Sequence, residues 1–146
     1  MRSALSLFAL VLVLAPAAAA QLAAGVQVGH ATGISARSAV GEQVLLGAVG
    51  IDPWAYRMNA DVHLLLGRAP LKKAGSLRAV YGPGAFVHAD DRTTEVGLSA
   101  LTGLEATVSH GQEVYLYLIP RLDVGHVLTP RFEAAVGFRV DLLDDR

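Results

Sequence analysis

Cysteine is absent from this sequence. In an exported chain that excludes a disulfide framework and a lipid anchor attached through cysteine, so the fold must be held by backbone pairing and packing. Lysine occurs only as Lys72 and Lys73. No sign of charge dominates either: 12 basic residues stand against 13 acidic ones, a formal net charge of −1, which supplies no basic face for nucleic acid. Aromatic residues make up only 6% of the chain. Long apolar runs are missing as well, since the run from Ala4 to Leu14 falls short of the roughly 20 residues that a helix needs to cross a bilayer. Even so, 53% of the residues are hydrophobic and the mean hydropathy is +0.43. The apolar residues are dispersed along the chain, and they must face something.

The N-terminus reads as a targeting segment. Met1-Arg2-Ser3 is basic, Ala4 to Leu14 is apolar, and Pro16 leads into small residues ending at Ala20, which together describe a secretory signal peptide cleaved before Gln21. Residues 1–20 are therefore expected to be removed and residues 21–146 to form one domain, there being too little chain for two. Loss of the segment takes away only Arg2 among the charged residues and leaves the remainder close to neutral.

After Gln21 the dominant period is two, the period of a β-strand. The closing stretch shows it most plainly: Phe132, Ala134, Val136, Phe138, Val140 and Leu142 share one face, and Arg131, Glu133, Ala135, Gly137, Arg139 and Asp141 share the other. The same division predicts strands over Leu22–Gly29, Ile34–Val40, Arg57–Leu66, Ser76–Val87, Thr94–Ser109 and Glu113–Asp123. Gln43–Gly50 is a further strand whose apolar triplet Val44-Leu45-Leu46 does not choose a face. Turn signals separate them at Ala31-Thr32-Gly33, Gly41-Glu42, Asp52-Pro53 and His110-Gly111-Gln112. Gly67–Gly75 reads as the longest polar connection and His88–Thr93 as a charged loop. Tyr81-Gly82-Pro83-Gly84 is expected to bend or bulge its strand, and Pro120 deprives a ladder of one donor.

Eight antiparallel strands with short connections predict an all-β, up-and-down barrel, in which the last strand pairs with the first and removes both edges. Two architectures share this pattern. In a soluble barrel the apolar face lines a cavity for a lipid or other apolar ligand; in a membrane barrel it meets lipid and the polar face fills the lumen. The polar faces carry Arg37, Arg78, Arg121 and Arg139 with Asp61, Glu95, Glu105, Glu113, Asp123, Glu133 and Asp141, plus Asn59 and His63, and no lysine. Arginine's planar fork suits pairing with carboxylates in a confined interior, whereas a water-facing sheet ordinarily uses lysine. The favoured reading is a transmembrane barrel whose lumen is closed by a polar network of Arg37, Asn59, Asp61, His63, Arg78, Glu95, Glu105, Arg121, Glu133 and Arg139. Trp54, Tyr56, Phe86 and Phe132 are expected near the membrane–water boundaries.

The chain resembles the small eight-stranded outer-membrane β-barrel proteins of Gram-negative bacteria, including a group of uncharacterised exported barrels of this size. The resembling residues are His30-Ala31-Thr32-Gly33-Ile34-Ser35-Ala36-Arg37, Asn59-Ala60-Asp61-Val62-His63, Tyr81-Gly82-Pro83-Gly84, Gly97-Leu98 through Gly103-Leu104-Glu105, and Leu118-Ile119-Pro120. The resemblance implies a barrel in the outer membrane, outer-membrane lipid and the barrel-assembly machinery as partners, a monomer, and no assigned reaction. One departure stands out. Such barrels finish on a terminal aromatic, whereas this chain runs past Phe138 and Val140 into Leu142-Leu143-Asp144-Asp145-Arg146.

Little in the sequence points to catalysis. Ser109-His110-Gly111-Gln112-Glu113 contains the residue types of a nucleophilic triad, which a lipid-modifying barrel hydrolase would need, but neighbours in a tight turn rarely converge. His88-Ala89-Asp90-Asp91 offers metal-ligand types without a second cluster to complete a site. There is no phosphate-binding glycine loop, nucleotide fingerprint or zinc spacing. The expectation is a protein without enzymatic activity or cofactor.

Overall fold

The computed structural model describes residues 21–52, 56–71, 76–124 and 128–143. Residues 1–20, expected to be a signal peptide, Trp54 and the Lys72-Lys73 pair lie outside the described residues. The strands are β1 (Gln21–Gly29), β2 (Thr32–Val40), β3 (Gln43–Asp52), β4 (Arg57–Leu65), β5 (Gly67–Pro70), β6 (Leu77–Ala89), β7 (Thr94–Ser109), β8 (Gln112–Val124) and β9 (Leu128–Leu143). All pair antiparallel, in the order β4-β3-β2-β1-β9-β8-β7-β6-β5, and a further β4–β6 pairing closes the sheet on itself. Since β5 continues β4 along the same partner β6, the closed wall has eight staves.

The junction of β4 and β5 is a bulge. His63 pairs with Gly84 and Gly67 with Tyr81, so Leu64, Leu65 and Leu66 oppose only Gly82 and Pro83. Pro83 has no N–H to give there, and the partner strand accommodates the missing donor with an extra residue. The bend therefore falls on the strand opposite Gly82-Pro83, while β6 pairs without a register shift with β7 from Leu77 to Ala89. Gly67–Pro70 is consequently strand, not the start of a loop. Pro120 coincides with an interruption of the β7–β8 ladder at Ala100 and Leu101, after which the register resumes unchanged.

The strands are tilted. A walk across paired partners from Gly25 through Ser35, Ala48, Asp61, Phe86, Gly97 and Asp123 arrives at Thr129, although Gly25's own partner in β9 is Arg139. That offset, from 129 to 139, is the barrel's shear, and eight strands with such a stagger leave an interior only as wide as the side chains that fill it.

Alternation then assigns every side chain. Outward go Val26 (63% exposed), Leu98 (61%) and Leu118 (55%), with Ile34, Leu116 and Val136. Inward go Arg139 (1% exposed), Glu105, Arg121, Asp61 and His63. Val44, Leu46 and Ala48 also point inward, which settles the face of β3. Val44 and Leu46 join Leu65, Val80, Leu101 and Ile119 in an apolar band inside the wall, so the interior is mixed rather than wholly polar. No helix among the described residues is long and apolar enough to cross a membrane, a test that does not address strands.

One end of the barrel, the terminal end, holds Gln21, the turn at 41–42, Leu71 and Ser76, and the turn at 110–111. The other, the loop end, holds residues 30–31, Asp52, Tyr56, residues 90–93, Val124 and Leu128. At the β6–β7 turn the Asp90 carboxylate accepts the N–H groups of Arg92 and Thr93, each at 2.7 Å. Those two bonds hold its pKa below the ordinary carboxylate value.

Candidate functional site: the charged interior

Two ion-paired clusters fill the lumen. Nearer the terminal end, Arg139 donates to Glu113 at 2.8 Å and Glu105 at 3.2 Å and contacts the Tyr117 hydroxyl. Its guanidinium carbon lies 4.1 Å from the Tyr115 ring centroid and 5.6 Å from that of Tyr117, and the two rings stack at 4.5 Å. Arg37 reaches Glu113 at 2.6 Å and Asp141 at 3.0 Å. Arg68 reaches Glu105 at 2.8 Å, and Tyr117 donates to Glu105 at 2.6 Å. Three guanidinium groups thus face the three carboxylates of Glu105, Glu113 and Asp141, a neutral arrangement that such a confined volume can hold because each charge is paired and hydrogen-bonded.

Glycines make room for the rings. A Cβ on Gly137 would lie 2.3 Å from the Tyr115 hydroxyl oxygen, and one on Gly103 would lie 2.7 Å from the Tyr117 ring. Each tyrosine lies across a glycine of a neighbouring strand. This is how large aromatics fit inside a wall already crowded with arginine.

Nearer the loop end the centre is Arg121. It pairs with Asp61 at 2.9 Å and Glu133 at 2.8 Å, contacts His88 and stacks 4.5 Å from the Phe86 ring centroid. Asp61 also holds His30 at 2.6 Å, and Asn59 donates to the His30 carbonyl at 3.2 Å. His63 Nε2 lies 3.0 Å from Ser99 Oγ. Around the mouth, Arg57 pairs with Asp90 at 3.2 Å and Glu95 at 3.1 Å, while Arg131 pairs with Asp123 at 3.0 Å.

Between the clusters lies a cavity of about 10 Å³ bordered by Gln27, His30, Asp61, Tyr117 and Arg139 among others. That is room for about one water molecule. The buried His30 Nδ1 and Arg139 Nε, which have no hydrogen-bond partner, belong to residues bordering it.

Among the residues expected to form the polar network, Arg37 and Glu105 join Arg139 at the terminal-end cluster, and Asn59, Asp61, His63 and Glu133 join Arg121 at the other. Arg78 and Glu95 stand apart. Arg78 bonds Thr107 at 3.1 Å near the terminal end, and Glu95 belongs to the loop-end mouth. Several partners escaped the sequence reading. Arg68 sits in the stretch expected to be a loop. His88 and Ala89, also expected in a loop, end β6, with His88 buried. Phe86, expected at a membrane boundary, is only 2% exposed and lies under Arg121 inside the barrel. Tyr56 and Phe132, by contrast, are both 86% exposed.

The groups of the two clusters are engaged with one another in ion pairs and hydrogen bonds. Ser99, His63 and Asp61 follow one another in the order of a nucleophilic triad, but His63 Nδ1 is 3.7 Å from Asp61 Oδ1, and the serine is buried. Ser109 and His110 are exposed while Glu113 turns inward onto Arg37 and Arg139, so that turn does not assemble a triad. Asp90 is engaged by its own turn, and among the described residues no group of three His, Asp or Glu side chains is arranged to hold a metal ion. Compared with family models, curated proteins and solved structures, the chain matches none of them.

Proposed function

We propose that this chain is a small outer-membrane β-barrel protein of the Gram-negative type, non-enzymatic, structural or adhesive in role, with a lumen closed by charge pairs. The signal-like N-terminus would deliver it to the periplasm and the barrel-assembly machinery would insert it, as a monomer, into outer-membrane lipid. A single observation carries the reading: the exterior is an apolar belt including Val26, Val28, Ile34, Leu98, Leu116, Leu118 and Val136, while Asp61, Glu105, Arg121 and Arg139 are turned inward. In water that distribution would expose a broad apolar surface, which opposes solubility, and bury ions at a desolvation cost. In a bilayer both are favourable, and a closed sheet leaves no unpaired edge in the hydrocarbon.

A soluble carrier of apolar ligands would need the opposite arrangement, with a roomy apolar cavity inside. The space between the clusters holds about 10 Å³, and its borders include charged groups.

Fractionation tests the proposal. Expression in a Gram-negative host should place the protein in the outer-membrane fraction, resistant to salt and alkaline washing and released by detergent. Recovery in the wash-soluble periplasm, folded and free of detergent, would overturn it.

A further inference from the structure

We propose that His88 is an acid-sensitive latch for the loop-end mouth, holding Arg121 in place while its imidazole is neutral and releasing it when protonated. The geometry of the contact carries this. A guanidinium has donors and no acceptor, so His88 Nε2, facing Arg121 Nη1, must be the acceptor, with the ring proton on Nδ1. Adding a proton to Nε2 removes that acceptor and sets two cations face to face.

The neighbouring histidines differ in this respect. His30 Nε2 and His63 Nδ1 both face Asp61, at 2.6 Å and 3.7 Å, where a positive charge is attracted. His88 has a cation as its nearest polar partner. The terminal-end cluster of Arg139, Arg37 and Arg68 with Glu105, Glu113 and Asp141 contains no histidine, so imidazole protonation would act on one half of the lumen alone.

The groups around His88 determine where each partner goes on release. The charged groups that act on His88 electrostatically are Arg121 from β8, Arg131 from β9, Glu95 from β7 and Asp52 from β3. Asn59 of β4 is its paired partner, with Arg57 two positions along that strand. Arg121 has Asp61 and Glu133 to keep it inside. The imidazolium turns toward Glu95, directly opposite it in the β6–β7 ladder. Glu95 already serves Arg57 at 3.1 Å and Arg131 at 3.9 Å. Protonated His88 therefore competes for the carboxylate that ties β4, β7 and β9 together at the mouth, and the ion pairs there slacken.

Nuclear magnetic resonance on isotopically labelled full-length mature protein in detergent micelles tests this, over about pH 7.5 to about pH 3.5, spanning the ordinary imidazole range and about a unit below it. Long-range ring-nitrogen spectra should show His88 as the neutral Nδ1–H tautomer at the upper end. Its titration should coincide with shifts of the Arg121 and Arg57 side-chain Nε–H signals and loss of the Arg121–His88 cross-peak. His88→Gln keeps an acceptor oxygen and cannot titrate, so its Arg121 and Arg57 signals should stay in place on acidification. The proposal is overturned if His88 titrates while both arginine signals stand still, if it is the other tautomer at neutral pH, or if His88→Gln shows the wild-type acid shift. Should His88→Gln fail to fold, co-titration in the wild-type protein decides alone.

Discussion

Arg139 lies over the ring of Tyr115, its guanidinium carbon 4.1 Å from the centroid, with its nitrogen atoms turned to Glu105 and Glu113. One side chain thus combines a cation–π contact with two buried ion pairs, and its position near mid-lumen makes it the core of the terminal-end plug. Arg139→Ala would leave Arg37 and Arg68 to serve three carboxylates, with one negative charge uncompensated. Breaking a buried pair from one side costs about 3–5 kcal/mol, and a loss of that size is expected in denaturant unfolding of the barrel in micelles or vesicles. Truncation also enlarges the small cavity that Arg139 borders, so single-channel recordings are expected to show more conductance events than in the wild-type protein. A variant as stable as wild type would show that Arg139 is not the keystone.

Two glycine substitutions separate packing from backbone conformation. A Cβ at Gly137 would meet the Tyr115 hydroxyl oxygen at 2.3 Å and the Val26 carbonyl oxygen at 2.6 Å, and the second of these is backbone that cannot swing aside. Gly137→Ala is expected to cost about 1–3 kcal/mol or more through overpacking. Gly41 has φ of +60° and open space around its Cβ position, so Gly41→Ala is charged only for the left-handed conformation, about 1–2 kcal/mol. Near-ultraviolet circular dichroism distinguishes them: the tyrosine signal should change in Gly137→Ala and persist in Gly41→Ala.

The β6–β7 turn carries a separate acid response. Hydrogen bonds from Arg92 and Thr93 lower the Asp90 pKa relative to the unfolded chain, so the stabilisation they supply is fully present above the unfolded-state value of about 3.9 and is lost as pH falls through the lower folded value. The amide signals of Arg92 and Thr93 should therefore hold steady through the imidazole range and move together only at stronger acid. In Asp90→Asn that acid step should vanish. Persistence of the wild-type acid step in Asp90→Asn would contradict the assignment.

Much of this arrangement is legible in the sequence because a barrel enforces a strict period of two. Once β9 is divided into its Phe132–Leu142 and Arg131–Asp141 faces, the same parity puts Asp61 with His63 and Glu105 with Ser99. What parity cannot supply is the partner across the lumen: Arg121 meets Asp61 from 60 residues away, and no local pattern encodes that encounter. The bulge at Leu64–Leu66 is a second limit. It shifts the phase of alternation, so Arg68 enters the interior from a stretch whose proline and lysines read as loop. Phe86 shows a third. An aromatic near a strand end reads as a boundary residue, yet it turns inward here over Gly97, where a Cβ would come within 2.5 Å of the ring. In β3 the triplet Val44-Leu45-Leu46 gives no contrast between faces, and only pairing with the neighbouring strands fixes Val44 and Leu46 inside.

The outward belt gives the most direct test of what surrounds the barrel. Leu118 lies midway along β8 and is 55% exposed, and Val108 lies next to the end of β7 and is 65% exposed. If water covered both, Leu118→Arg and Val108→Arg would each change stability by about 0.5 kcal/mol or less, as surface substitutions do. If lipid covers them, the cost follows depth: about 2–4 kcal/mol for arginine near the bilayer midplane, falling to about 0–1 kcal/mol near an interface. The expectation is the second pattern, measured by reversible denaturant unfolding in vesicles, with Leu118→Arg the costlier of the two by about 2 kcal/mol. Inward positions supply the control, because Ser99→Ala removes a hydroxyl from the His63 contact and should lose only about 1 kcal/mol, whatever lies outside. Equal, small effects of both arginine substitutions would mean that the exterior faces water, and the apolar belt would then need another partner.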